Sequence, residues 1–146
     1  MIRILSVAAA IAVGATAVYA QSAAIGQRKE ILKTFGGAMK EPAGMMKGEV
    51  PFDLAKVQAS LKTVSEGAPK VAPLFPDDSK TGGETQALPV IWEKKSEFEA
   101  GFKKLEADAK AAAAAIKDEA SFKTEWPKVG ANCGACHKQF RQPPKQ

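Results

Sequence analysis

Histidine and tyrosine each occur once in the 146 residues, cysteine occurs twice, and aromatic side chains make up only 7% of the chain. One histidine and two cysteines fall short of the roughly four ligands that a structural zinc site requires. They also leave no second imidazole for proton transfer beside a first one committed elsewhere. Strand-like alternation is missing throughout, so the fold class is all-α. A polybasic block interleaved with aromatics is missing too. The excess of 21 Lys+Arg over 16 Asp+Glu is spread evenly and reads as a solvated surface, which excludes nucleic acid as a partner.

Long apolar runs are confined to the start of the chain. Arg3 precedes a run from Ile4 to Val18, and the small residues Val18 and Ala20 set up a cleavage before Gln21. This pattern marks residues 1–20 as a secretory signal peptide, removed on export to the periplasm. The run is too short and Ala-rich to serve as a membrane span, so no span is expected after removal. Loss of Arg3 lowers the formal charge from +5 to +4. Residues 21–146 are of a length that suits one domain with one core.

Four segments have helical periodicity. The first, about Ala23 to Lys40, sets Ile25, Arg28, Leu32, Phe35 and Met39 on one face and is expected to end at Pro42 and Gly44. The second, about Phe52 to Leu74, has Asp53 as a candidate cap and Pro69 and Pro73 near its end. A loop from Phe75 to Pro89, rich in Pro, Asp and Gly, is long enough to be functional. The third segment, about Val90 to Ile116, forms a packing seam of Ile91, Phe98, Phe102, Leu105, Ala109, Ala112 and Ile116. The fourth, about Glu119 to Gln142, is interrupted by Pro127, which predicts a kink or a later start near Trp126. Four such helices with short or moderate connections make an antiparallel four-helix bundle.

The chemistry is concentrated in Cys133-Gly134-Ala135-Cys136-His137, the Cys-x-x-Cys-His signature of c-type haem attachment. On a helix these three side chains stand at i, i+3 and i+4 and project from one face, so one planar cofactor can meet all of them. Both thiols add to vinyl groups as thioethers, and the adjacent imidazole reaches the iron as its axial ligand. A thioredoxin-like redox pair would need a strand-helix context, and a plain disulfide would not need the histidine. One covalent haem c per chain is therefore expected.

At these residues the chain resembles the cytochrome c prime family of c-type cytochromes, which fold as four-helix bundles with haem near the C-terminus. Cys133 through Arg141 is similar to the family's attachment helix, Gly82-Gly83-Glu84-Thr85 through Trp92 to the segment leading into its third helix, and Gln27 through Leu32 to the first-helix segment over the distal haem face. The resemblance implies Arg141 beside His137, Arg28 and Lys29 near the haem edge and propionates, and Leu32 over the iron. Glu84 and Thr85 are placed at the haem rim. Periodicity alone reads Leu32 as a core leucine and Arg28 as a surface charge, and it assigns Trp92 and Phe52 to core packing.

Some relatives of the family carry a methionine one turn after the first-helix arginine, which gives six-coordinate iron suited to electron transfer. Leu32 stands there in this chain. A leucine has no lone pair to offer, so the expected iron is five-coordinate and high-spin. Its crowded apolar face excludes water and anions. The resemblance thus implies binding of nitric oxide or carbon monoxide beside electron transfer with a redox partner, and a homodimer through the first two helices. No enzymatic activity is expected. The alternative is a low-spin electron carrier with Met39, Met45 or Met46 as sixth ligand.

Overall fold

The computed structural model describes the backbone of residues 5–81 and 83–143, and side chains from residue 23 within those limits. The expected leader over residues 1–20, with its cleavage before Gln21, lies outside the fully described residues. Five α-helices are found among the described residues: α1 (Leu5–Met46), α2 (Leu54–Val71), the single turn α3 (Val90–Glu93), α4 (Lys95–Ala115) and α5 (Glu119–Phe140). None of them is long and apolar enough to cross a membrane.

The four long helices form the expected bundle, but their ends differ from the sequence reading. Pro42 does not stop α1. It lies inside the helix with its side chain fully buried, so packing of the ring offsets the backbone hydrogen bond that proline removes. The stop comes at Gly48, whose φ of 72° lets the chain turn back so that the Glu49 and Lys47 N–H groups donate to the Gly44 carbonyl.

Helix α2 opens as expected at Asp53, whose carboxylate accepts from the Lys56 N–H at 3.1 Å. It ends at Val71, and a tighter 3-10 turn carries the chain through Ala72–Leu74. The predicted third helix is divided at Lys94 (φ −114°, ψ 41°). Its first turn, α3, is held to the preceding loop by Trp92, whose Nε1–H donates to the carbonyls of Phe75 and Pro76. No late start follows from Pro127. Helix α5 runs unbroken through it, with the proline ring exposed. Its true start is a capping box at Asp118, whose carboxylate accepts from the Ser121 N–H at 2.8 Å.

The core is built from the fully buried Val57, Leu61, Val64 and Val71 of α2, Ala109 of α4 and Phe122 and Val129 of α5, with Phe98 and Phe102 joining them edge to face. Helix α1 packs on α2, α2 on α4 and α4 on α5, whereas no comparable packing joins α1 to α5 among the described residues. On the α1–α2 side the backbones come close. A Cβ on Gly67 would stand 2.4 Å from the Phe35 ring.

The 75–89 segment is more ordered than a plain loop. It contains a 3-10 turn at Asp77–Lys80 and reaches both α1 and the end of α5. Toward α1 it meets Arg28, only 2% exposed, whose guanidinium donates to the Leu74 carbonyl (3.1 Å), the Ser79 hydroxyl (2.8 Å), the Ser79 carbonyl (3.2 Å) and the Thr85 hydroxyl (3.0 Å). The same group stacks 4.2 Å above the Phe75 ring. Toward α5 an antiparallel bridge pairs Ala87 with Arg141.

The fork of Arg28 makes bonds that a single ammonium cannot reproduce, so Arg28→Lys leaves buried acceptors unpaired. Its unfolding free energy in guanidinium chloride should fall by about 1–3 kcal/mol. A lysine variant as stable as the parent would show that the fork is dispensable.

Candidate functional site

Helix register makes the site visible. At about 100° per residue, Cys133 lies roughly 40° and Cys136 roughly 20° around α5 from Val129. Val129 is fully buried and Phe140, on the same face, is nearly so, yet both cysteines between them are only half-buried. These are core positions by register, and the protein's own side chains cover them only in part. Cys136 packs its inner side on the core.

The thiols are not joined in a disulfide. Burial pushes the Cys133 thiol up, and burial and then the Cys133 charge push Cys136 up, so both stand as neutral thiols at neutral pH. His137 follows at the exposed flank of the same face. Partial desolvation, and secondarily the Arg141 charge, lowers its pKa from the ordinary imidazole value and favours the neutral ring.

The same register argument applies to α1. Leu32 lies about 40° from Arg28 and about 20° from Ile25 around the helix. Those two are 2% and 3% exposed, whereas Leu32 is 37% exposed. Leu32 is thus neither the ordinary core leucine that periodicity implies nor a residue of the polar face. Arg28, likewise, is not a surface charge. Met39 is half-buried and takes a contact from the Ser60 hydroxyl at 3.8 Å. Phe52 packs on Phe122, and Trp92 on Phe75, as the core reading has it.

The remaining sequence-predicted residues converge on the 75–89 segment. Lys29 Nζ donates to the Glu84 carbonyl at 3.3 Å, and the Thr85 hydroxyl joins Arg28 to the Ala87 N–H. Arg28, Lys29, Glu84 and Thr85 therefore form one cluster. Arg141 lies at the other end of the segment, where its Nε–H donates to Gln86 Oε1 at 2.8 Å and its backbone N–H to the His137 carbonyl. Sequence reasoning missed Ser79, Phe75 and Gln86. Loop residues follow no helical period, and nothing in the pattern singles them out.

A flat, largely apolar group with two reactive vinyls and a metal fits this donor set. Two free, partly covered thiols and one imidazole share a face of α5. No group of three or more His, Cys, Asp or Glu that could hold a bare metal ion is present among the described residues.

Residues 23–141 match the family model described as Cytochrome C'. The chain is similar to cytochrome c prime of Rhodopseudomonas palustris, at 49% identity over 96% of both chains. A solved structure of cytochrome c prime from that organism superposes with a TM-score of 0.82 at 51% identity, covering 84% of this chain and 98% of the other. The chain is also similar to cytochrome c-556 of Agrobacterium fabrum, at 40% identity over 87% of this chain and 86% of the relative. A nitric oxide complex of a point mutant of cytochrome c prime from Alcaligenes xylosoxidans shares the fold, with a TM-score of 0.72 at 21% identity over 83% and 94% of the two chains.

Replacing both Cys133 and Cys136 with Ala should abolish haem staining of the denatured polypeptide and leave little or no holoprotein. His137→Ala keeps both thiols, so haem should remain attached while the absorption spectrum changes through loss of the axial nitrogen. An unchanged spectrum would assign the axial ligand to another residue.

Proposed function

The chain belongs to the cytochrome c prime family, whose members carry covalently bound haem c, and from that membership we propose a periplasmic haem protein that binds diatomic gases and transfers electrons. Haem c, when bound, supplies an iron that takes one axial ligand from the protein and offers its opposite face to a second. Cys133 and Cys136 would hold the porphyrin, and His137, kept neutral by its surroundings, would supply the axial nitrogen. Arg28 and Lys29 would lie toward the propionates, with Glu84 and Thr85 at the rim.

The observation that carries the proposal is Leu32, an apolar side chain in core register on α1 that the protein's own atoms leave 37% exposed. Placed over the iron, it would leave a five-coordinate, high-spin centre. It would exclude water and anions, which lose hydration on entering an apolar site, and admit small uncharged molecules. Nitric oxide is the ligand in the Alcaligenes xylosoxidans complex.

The methionines give the electron-carrier alternative little support. Met45 is buried in the core, Met46 packs against it and Met39 is engaged with Ser60, all in the C-terminal part of α1 beyond the Arg28 to Leu32 turn. A homodimer through α1 and α2 is the proposed assembly.

Leu32→Ala tests the proposal directly. A displaced packed side chain gives up contacts worth about 1–3 kcal/mol, and each 1.4 kcal/mol is about tenfold in affinity. The ferrous protein should therefore bind carbon monoxide roughly ten- to a hundredfold more tightly once the leucine is gone. Leu32→Met should shift the ferric spectrum toward low-spin with the near-infrared sulfur-to-iron band. Carbon monoxide affinity unchanged in Leu32→Ala would return Leu32 to an ordinary packing role and remove the preference for gas binding.

A further inference from the structure

The segment between α2 and α3 touches both sides of the site, and one of its residues stands where the two meet. Gln86 follows Thr85, whose hydroxyl is pinned by Arg28 Nη2 at 3.0 Å and by the Ala87 N–H at 3.2 Å. It precedes Ala87, which is bridged to Arg141. Its own carbonyl accepts from the Gln142 N–H at 2.8 Å, and the Leu88 N–H donates to the Phe140 carbonyl at 3.0 Å. The backbone of Gln86 is thus held on both sides, and its side chain has little left to do but reach Arg141 Nε at 2.8 Å.

We propose that Gln86 is a positioning residue for the haem site: it holds the Arg141 guanidinium beside His137, so that the cation's influence on the iron is set from the 75–89 segment. This rests on the proposed haem ligation by His137. Arg141 carries a charge that cannot be titrated away, one helical turn from His137. Left alone, a long exposed arginine at a helix end would spend its time among many rotamers, extended into water. One exposed hydrogen bond adds little stability, yet here it acts on a donor and an acceptor whose backbones are already fixed, so little ordering entropy opposes it.

Three features separate this role from a merely structural one. The acceptor is a neutral side-chain oxygen, so Gln86 orients the cation without neutralising it. The bond uses Nε alone, which leaves both Nη groups of Arg141 outside this contact. The contact also lies at the surface, so its loss should leave the bundle folded.

The test is a double-mutant cycle on the holoprotein, reading the midpoint potential of the haem together with unfolding in guanidinium chloride. Arg141→Ala removes a positive charge from the neighbourhood of the iron, which favours the ferric state, so the midpoint should fall. Gln86→Leu should lower it in the same direction by a smaller amount, with little change in unfolding midpoint. The double variant should fall no further than Arg141→Ala alone. Gln86→Glu, which keeps the acceptor, should preserve the protection of the Arg141 Nε–H from solvent exchange, and Gln86→Leu should abolish it.

Additive shifts, or a Gln86→Leu midpoint equal to the parent's while Arg141→Ala moves it, would overturn the proposal. A Gln86→Leu variant that loses stability in proportion to its midpoint shift would also overturn it, since the effect would then be structural. If His137→Ala leaves the spectrum unchanged, the underlying ligation reading fails instead, and the two failures are told apart.

Discussion

No extensive packing joins α1, which carries Arg28 and Leu32, to α5, which carries Cys133, Cys136 and His137, among the described residues. Their relative placement therefore depends on a third element, and that element depends on a buried guanidinium. Arg28 is almost wholly buried, and its four hydrogen bonds go to neutral oxygens of the segment that follows α2. Burial alone pushes its pKa down, a penalty that a delocalised, weakly hydrated cation tolerates better than an ammonium would. The Phe75 and Trp92 rings supply their electron-rich faces in place of a counter-charge. The buried cation thus ties α1 to the segment that is bridged to the end of α5.

Covalent attachment shifts the demands on the rest of the protein. Thioether bonds at Cys133 and Cys136 would hold the cofactor regardless of how well the pocket fits it, so surrounding side chains are free to tune access and potential. The steep contrast in burial along α5, from Val129 to Cys133 to Cys136 to Phe140, suits that division. The residues before and after the motif anchor the helix in the core, and the motif itself stays accessible to the chemistry that loads it. Small residues at Gly134 and Ala135 keep the outer side of that turn uncluttered.

Much of this was legible in the sequence because helix periodicity and the Cys-x-x-Cys-His spacing are both local signals. Ile91, Phe98, Phe102, Leu105, Ala109, Ala112 and Ile116, the seam that the pattern of the third segment picks out, are all buried in the core. At Pro42 and Pro127 the local rule for proline places a helix boundary that the fold does not have. Pro42 and Pro127 lie within helices because tertiary burial of one and solvation around the other outweigh a missing hydrogen bond, and no local rule weighs those terms. The start of α5 is legible locally, because Asp118 followed three residues later by Ser121 forms its cap. Ser79 and Gln86 could not have been found, since their partners lie 51 and 55 residues away along the chain.

Leu32 shows why burial has to be read against register rather than alone. An exposed leucine on a surface is unremarkable, because folded proteins show much apolar area to water. Leu32 differs because its neighbours in register, Ile25 and Arg28, are among the most buried side chains of α1, so its exposure reports the surroundings and not the helix face. The same holds for the cysteines on α5. Both helices thus carry core-register positions that the protein's own side chains leave partly uncovered. On the proposed reading, in which Leu32 faces the iron, the residue at position 32 would decide what the site can do: a thioether in this place would coordinate a metal, and a branched hydrocarbon could only obstruct the approach to it.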